Sequence, residues 1–255
     1  MKEYTTEFIR NVALVGHSST GKTMMAEAFL YFSGAITRMG KVEDGSTASD
    51  FDQEENRRTL SLYTSVIPIE HKNTKLNILD APGYTDFVGE VISALSVADG
   101  AVVLIDSLAG VEVGTEIAWR YCDEFKLPRI VVINKMDRDN ANLEKVMASL
   151  NEFSEARMIK VQLPWGERGD FKGIIDLLSN KAYEANGKKA VDIPAEFADA
   201  AEEARNELIE AAAEGDDALL EKYFEGEELS DSEIASGLKK VFMAGDYVPV
   251  FVAAA

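Results

Sequence analysis

The segment Gly16–Thr23, GHSSTGKT, constrains this chain more than any other stretch. A glycine, four residues and then Gly-Lys-Thr is a phosphate-binding loop. Its glycines let successive backbone N–H groups turn inward around an anion, at the positive end of the helix that follows. The candidate phosphate-binding residues are therefore Gly16, His17, Ser18, Ser19, Thr20, Gly21, Lys22 and Thr23. Lys22 would reach the β- and γ-phosphates, and the Thr23 hydroxyl would bind Mg²⁺. The flanks agree: Asn11–Val15 is a short apolar run of the kind that forms a buried parallel strand, and Thr23–Phe32 reads as the first helix.

Downstream, Ser33–Arg58 is polar and has no sustained period, so it is expected to be a long, mobile loop, a length that points to function. Leu60–Glu70 and Lys75–Leu79 read as a β-hairpin that ends on Asp80. Then come a helix over 87–97, a buried strand at Gly100–Asp106, a helix at Thr115–Phe125, a strand at Arg129–Asn134 and an amphipathic helix at Leu143–Ala156. This alternation predicts an α/β P-loop NTPase fold, a doubly wound and mostly parallel sheet. Beyond residue 157 the pattern changes to short strands, at Lys160–Leu163, Phe171–Leu178, Ala182–Ala185 and Ala190–Ile193, with turns at 166–169 and 186–187. Helices are expected over Pro194–Ala213, Asp216–Tyr223 and Ser230–Met243, the last opened by a Ser-Asp-Ser-Glu capping box. The expected organisation is a core over 1–157, an inserted α+β subdomain over 158–245, and the last core strand and a terminal motif over 246–255.

Composition narrows the partners. The 255 residues carry 26 Lys and Arg against 45 Asp and Glu, a net charge of −19. That argues against general electrostatic attraction to nucleic acid, so any RNA contact must be local. The acidity of the 158–245 region is most simply a solvated surface. The single cysteine, Cys122, has no disulfide partner, which favours a reducing compartment, and it reads as a buried helix residue. The N-terminal MKEYTTEF has no apolar core, and the run Ala101–Ile105 is far too short to span a membrane. A soluble, cytoplasmic, monomeric protein is expected.

A phosphate loop alone does not distinguish ATP from GTP. Asn134-Lys-Met-Asp137, at the C-terminal end of a parallel strand, does. Guanine presents N1–H and its 2-amino group side by side, and the Asp137 carboxylate can accept from both. Adenine would put a lone pair against that carboxylate. Asn134 would bond N7 and brace the loop, and the aliphatic stem of Lys135 would cover one face of the ring. Asp80-Ala-Pro-Gly83 adds a carboxylate able to hold a water of the Mg²⁺ shell and a glycine N–H able to sense the γ-phosphate. The Ser33–Arg58 loop, running into Thr59-Leu-Ser61, would bring a second hydroxyl to Mg²⁺.

Together GHSSTGKT, DAPGY and NKMD, with their spacing, resemble the G domain of the translational GTPases, elongation factor G in particular. The resemblance extends over essentially the whole chain and includes Asp52–Ser61 as a first switch and 158–245 as the inserted subdomain. It implies GTP/GDP and Mg²⁺ as ligands, the ribosome as partner, and a longer factor of which this chain is part. Metal contacts are then expected from Thr23, Ser61 and, through water, Asp80, and catalytic roles for Lys22, Gly83 and Tyr84. Ala254 and Ala255 would fall in the last guanine-contacting motif, where the backbone makes the contact.

The chain also departs from the family pattern. Tyr84 stands where the family has the histidine that orients the attacking water, and a phenol donates a hydrogen bond but is a poor base near neutrality. Thr59 fills a glycine position, Ser61 a threonine position, Ser19 an aspartate position and Ala254 a serine position. Such changes suit a divergent paralogue. The function expected first is ribosome-stimulated GTP hydrolysis as a conformational switch, the second a nucleotide-gated ribosome-docking module with little or no hydrolysis, and an ATPase the third.

Overall fold

A computed structural model describes residues 2–166, 170–185 and 189–254. The contacts fall into two compact units, one running to Asp106 and taking in 111–127, the other comprising 107–110 and 128–254. The turns expected at 166–169 and 186–187, and the terminal Ala255, lie wholly or partly outside the described residues.

The first unit contains, in chain order, β1 (Ile9–Val15), α1 (Lys22–Phe32), α2 (Gln53–Arg58), β2 (Ser65–His71), β3 (Thr74–Asp80), α3 (Val88–Ser96), β4 (Gly100–Asp106) and α4 (Val113–Glu124). Its strands stand in the order β2-β3-β1-β4, with β1 parallel to both neighbours and β2 antiparallel to β3. Ala13, Leu14 and Val15 of β1 and Val103, Leu104 and Ile105 of β4 are completely buried, as expected of parallel strands covered on both faces. The register sets Leu14 opposite Asp80. The end of β1 that feeds the phosphate loop is thus level with the end of β3 that carries the carboxylate. α1 packs against β1, β2 and β3, while α3 and α4 pack against each other and against β1 and β4.

The second unit contains β5 (Arg129–Asn134), α5 (Leu143–Phe153), β6 (Arg157–Lys160), β7 (Gln162–Trp165), β8 (Gly173–Asp176), β9 (Lys181–Glu184), β10 (Ala190–Val191), α6 (Ala198–Ala213), α7 (Asp217–Phe224), α8 (Asp231–Ala244) and β11 (Tyr247–Val252). β11 lies between β5 and β6, parallel to both. The strands β7 to β10 form a separate antiparallel sheet in chain order. The fold class is therefore the expected one, α/β with mostly parallel core strands and an additional antiparallel sheet. Among the described residues no helix is long and apolar enough to cross a membrane.

Three local expectations need correction. The stretch 33–58 is not all loop: it ends in α2, opened by Asp52, whose side chain accepts from Glu54 N–H at 2.8 Å while Glu55 accepts from Asp52 N–H at 3.2 Å. Six charged and polar residues show no apolar period, but Asp-x-x-Glu was a cap signal in plain sight. The hairpin begins at Ser65 and not at Leu60, because the backbone donors of Leu62 and Tyr63 go to Glu55 and that of Thr64 goes to Glu90. Finally, Lys160–Leu163 is two strands in two sheets. Val161, 1% exposed, is the crossing point: its N–H donates to Val250 O at 2.9 Å and its carbonyl accepts from Leu177 N–H at 3.0 Å. The segment Lys160-Val-Gln-Leu163 alternates polar and apolar residues as a single strand would, so it carries no mark of such a change of sheet.

Candidate functional site

In the first unit the phosphate loop turns from β1 into α1 through left-handed backbone at Ser19, φ 61°, and Gly21, φ 95°, the latter capping α1. The Thr20 hydroxyl closes the turn on His17 O at 3.0 Å. The ammonium of Lys22, 7% exposed, donates to the carbonyls of His17 at 2.7 Å and Gly16 at 3.2 Å. Burial pushes it down to about 8, against the pull of Asp80 and Asp50. The side chain of His17 serves elsewhere: Nδ1 accepts from Gly114 N–H at 3.1 Å and Nε2 lies 3.5 Å from Glu112 at the start of α4.

The segment after β3 closes over this loop. A Cβ on Gly83 would lie 2.4 Å from Lys22 Nζ and 2.7 Å from His17 O, so only glycine allows the approach. The next residue, Tyr84, is 43% exposed and borders a small cleft with Pro82, Val88, Gly114 and Ile117.

Hydroxyls and carboxylates converge behind Lys22. Thr23 Oγ1 donates to Asp80 Oδ2 at 2.9 Å and lies 3.3 Å from Ser61 Oγ, which donates to Asp50 Oδ1 at 2.8 Å. Asp80 is 1% exposed, and burial pushes its carboxyl up to about 6, against Lys22 and the Thr23 hydrogen bond. Burial also raises Asp50. Asp80 Oδ1 has no hydrogen-bond partner among the described residues.

Such a group fits Mg²⁺: oxygen donors only, two carboxylates with a surplus of negative charge, and a buried oxygen left unpaired. Among the described residues no three His, Cys, Asp or Glu side chains could hold a metal by themselves. An ion here would rely on hydroxyl, water and phosphate oxygens, as Mg²⁺ commonly does. Thr23, Ser61 and Asp80 are thus brought together as the sequence suggested. Asp50 is an addition that loop composition hid, although a carboxylate just before the Asp-x-x-Glu cap was a usable signal. Thr59 adopts left-handed backbone at φ 52°, at a cost of about 1–2 kcal/mol for a residue with a Cβ.

In the second unit Asn134 is completely buried at the end of β5, Lys135 turns left-handed at φ 63°, and Asp137 is exposed. The loop is tied on both sides: Met136 N–H donates to Ala253 O at 3.0 Å, and Ser107 Oγ donates to Lys135 O at 2.8 Å. Ser107, fully buried, also donates its N–H to Asn134 O at 3.0 Å. It was missed because a serine after an apolar strand looks like any turn residue. Ala253 donates to Ile133 O at 2.9 Å, and Ala254 is exposed beyond it. Ala255 is outside the described residues.

Residues 7–255 match the family model of the elongation factor Tu GTP binding domain. Among solved structures, the chain is similar to a crystal structure of a protein from Thermus thermophilus, with 38% sequence identity and a TM-score of 0.90. The match covers 97% of this chain and 37% of that one, so this chain spans little more than a third of its relative's length.

Proposed function

Because the chain belongs to the elongation factor Tu GTP-binding domain family, we propose that it binds GTP and GDP with Mg²⁺ and hydrolyses GTP to GDP and phosphate. On this reading it is a ribosome-linked, cytoplasmic, monomeric conformational switch of the elongation factor G type. The observation that carries it is the meeting of Thr23, Ser61 and Asp80, which come from the phosphate loop, the segment after α2 and the end of β3. A nucleotide-dependent change at that point would reach both flanking segments. The organisation proposed for the chain remains a core over 1–157, an insertion over 158–245 and a return over 246–255.

The phosphates would be held by Gly16 to Thr23, and Asn134, Lys135 and Asp137 would read guanine, with Ala254 and Ala255 offering backbone to the base. Mg²⁺, held by Thr23, Ser61 and a water on Asp80, would neutralise charge on the β- and γ-phosphates. Lys22 and the loop N–H groups would stabilise the charge that develops as water attacks in line. To do so, the Lys22 ammonium must exchange its carbonyl partners for phosphate oxygens. The Gly83 N–H would face the γ-phosphate, and loss of that group would free the segment that follows. Tyr84 would orient the attacking water as a hydrogen-bonding group and not as a base.

That substitution favours a second reading, a nucleotide-gated docking module with little hydrolysis. Single-turnover phosphate release from bound GTP, with and without ribosomes, separates the two. Ribosome-dependent release is the expected result. Bound GTP left uncleaved in both conditions would favour the docking module.

A further inference from the structure

α1 carries one carboxylate in an otherwise apolar stretch, and the nucleotide reading gives it nothing to do. Glu27 is 2% exposed. Its Oε2 accepts from Gly40 N–H at 2.7 Å and its Oε1 from Ala48 N–H at 2.5 Å. A buried carboxylate is tolerated where donors meet it, and here they are backbone groups of the long segment between α1 and α2. Two residues after Ala48 comes Asp50, the acceptor for the Ser61 hydroxyl. Just beyond Ser61 a second buried carboxylate, Glu55, accepts from Leu62 N–H at 2.9 Å and Tyr63 N–H at 3.2 Å. Ser61 is thus held from one side through Glu27, Ala48 and Asp50, and from the other by Glu55.

We propose that Glu27 is a positioning residue for the Mg²⁺ site: by fixing the Gly40 and Ala48 amides it sets Asp50, and through Asp50 the Ser61 hydroxyl, against Thr23 and Asp80. The proposal rests on the reading of Thr23 and Ser61 as Mg²⁺ ligands. Glu27 itself touches neither metal nor nucleotide, so its effect is on how much Mg²⁺ the bound nucleotide needs and not on nucleotide affinity without Mg²⁺. The side-chain chemistry is specific. Glutamine has the same shape, but its amide would turn an N–H₂ donor toward one of the two backbone donors.

The test is a Mg²⁺ titration of GDP retention, read as the dissociation rate of a fluorescent GDP, for the unaltered chain, Glu27→Gln and Glu27→Asp. Glu43→Gln, in an exposed part of the same segment, is the control. Hydrogen exchange at Gly40 and Ala48 is followed in parallel. For Glu27→Gln the Mg²⁺ concentration giving half-maximal retention is expected to rise on the order of tenfold, the effect of one lost charge-assisted hydrogen bond. Mg²⁺-free GDP affinity should not change, and the two amides should exchange faster. Glu27→Asp keeps the charge on a shorter stem and supplies the comparison if glutamine impairs folding; it too should raise the Mg²⁺ requirement. An unchanged Mg²⁺ requirement alongside faster amide exchange would make Glu27 a structural anchor only and overturn the proposal. No effect of Mg²⁺ on retention in the unaltered chain would instead remove the ligand reading itself, and this proposal with it.

Discussion

Among the described residues the first unit buries four carboxylates, Glu27, Asp50, Glu55 and Asp80, and one ammonium, Lys22. So much buried negative charge is tolerable only if donors or counter-ions meet it. Backbone N–H groups meet Glu27 and Glu55. Asp50 and Asp80 share Lys22 and two hydroxyls, and both carboxyls are held above the ordinary range, chiefly by burial. Without a divalent cation, then, the Asp80 charge is a cost. Asp80→Asn is expected to stabilise the Mg²⁺-free chain at neutral pH by about 3 kcal/mol, the scale set by a carboxyl moved from 3.8 to about 6. It should also abolish the extra stabilisation that Mg²⁺ adds to GDP. Thermal melts with and without Mg²⁺ and GDP check both statements. A variant less stable than the parent without Mg²⁺ would make Asp80 simply an acceptor for Thr23.

At the scale of elements, the second unit depends on a close helix crossing. A Cβ on Gly237 of α8 would lie 2.0 Å from Ala212 O of α6, and the neighbouring surface is small and buried: Ala201, Ala204, Ala211 and Ala212. In an exposed helix Gly→Ala gains up to about 1 kcal/mol, but here Gly237→Ala must push two backbones apart. A net loss of about 1–3 kcal/mol is expected, measured by denaturant unfolding; a stabilised variant would show that the helices separate freely. α6 is also latched at its end. Arg157, at the start of β6, pairs with Glu214 and lies 3.9 Å over the Tyr247 ring, and Tyr247 Oη donates to Glu214 at 2.9 Å. The Arg157 hydrogen bond holds the Glu214 carboxyl below its usual value. Its contribution is therefore present above the unfolded carboxyl's range and fades as pH falls through the lower folded value. Glu214→Gln should shallow the acid limb of the stability profile below about pH 5 by less than about 1 kcal/mol, since the group is well solvated. The latch was not legible in the sequence, because its three residues meet only after two strands and a helix are in place. The parallel strands were legible, since burial on both faces writes a continuous apolar run, as at β4. α2, polar throughout, showed only in its Asp-x-x-Glu cap, and the division at Val161 did not show at all, because Lys160-Val-Gln-Leu163 alternates as one strand would.

For the molecule as a whole, the candidate site was legible wherever chemistry demands a fixed local spacing. GHSSTGKT, DAPG and NKMD each place a backbone turn and a functional group within a few residues, so sequence order alone exposes them. What holds those groups in place was scarcely legible: Glu27 and Ser107 act across 13 to 28 residues through hydrogen bonds to backbone, and Asp50, marked only by its place just before the Asp-x-x-Glu cap, acts across 11 on the Ser61 hydroxyl. The overall negative charge was legible too, and it fits a domain whose ligand brings its own divalent cation. The guanine assignment rests on Asp137, exposed on a loop tied to Ser107 and Ala253. Competition against a fluorescent GDP bound to the chain in Mg²⁺ examines it directly. GTP should displace the probe near stoichiometry, while a roughly thousandfold excess of ATP should leave it bound, as expected where a site's polar groups are left unpaired by the wrong base. Displacement by ATP at concentrations comparable to GTP would contradict the guanine reading and the function built on it.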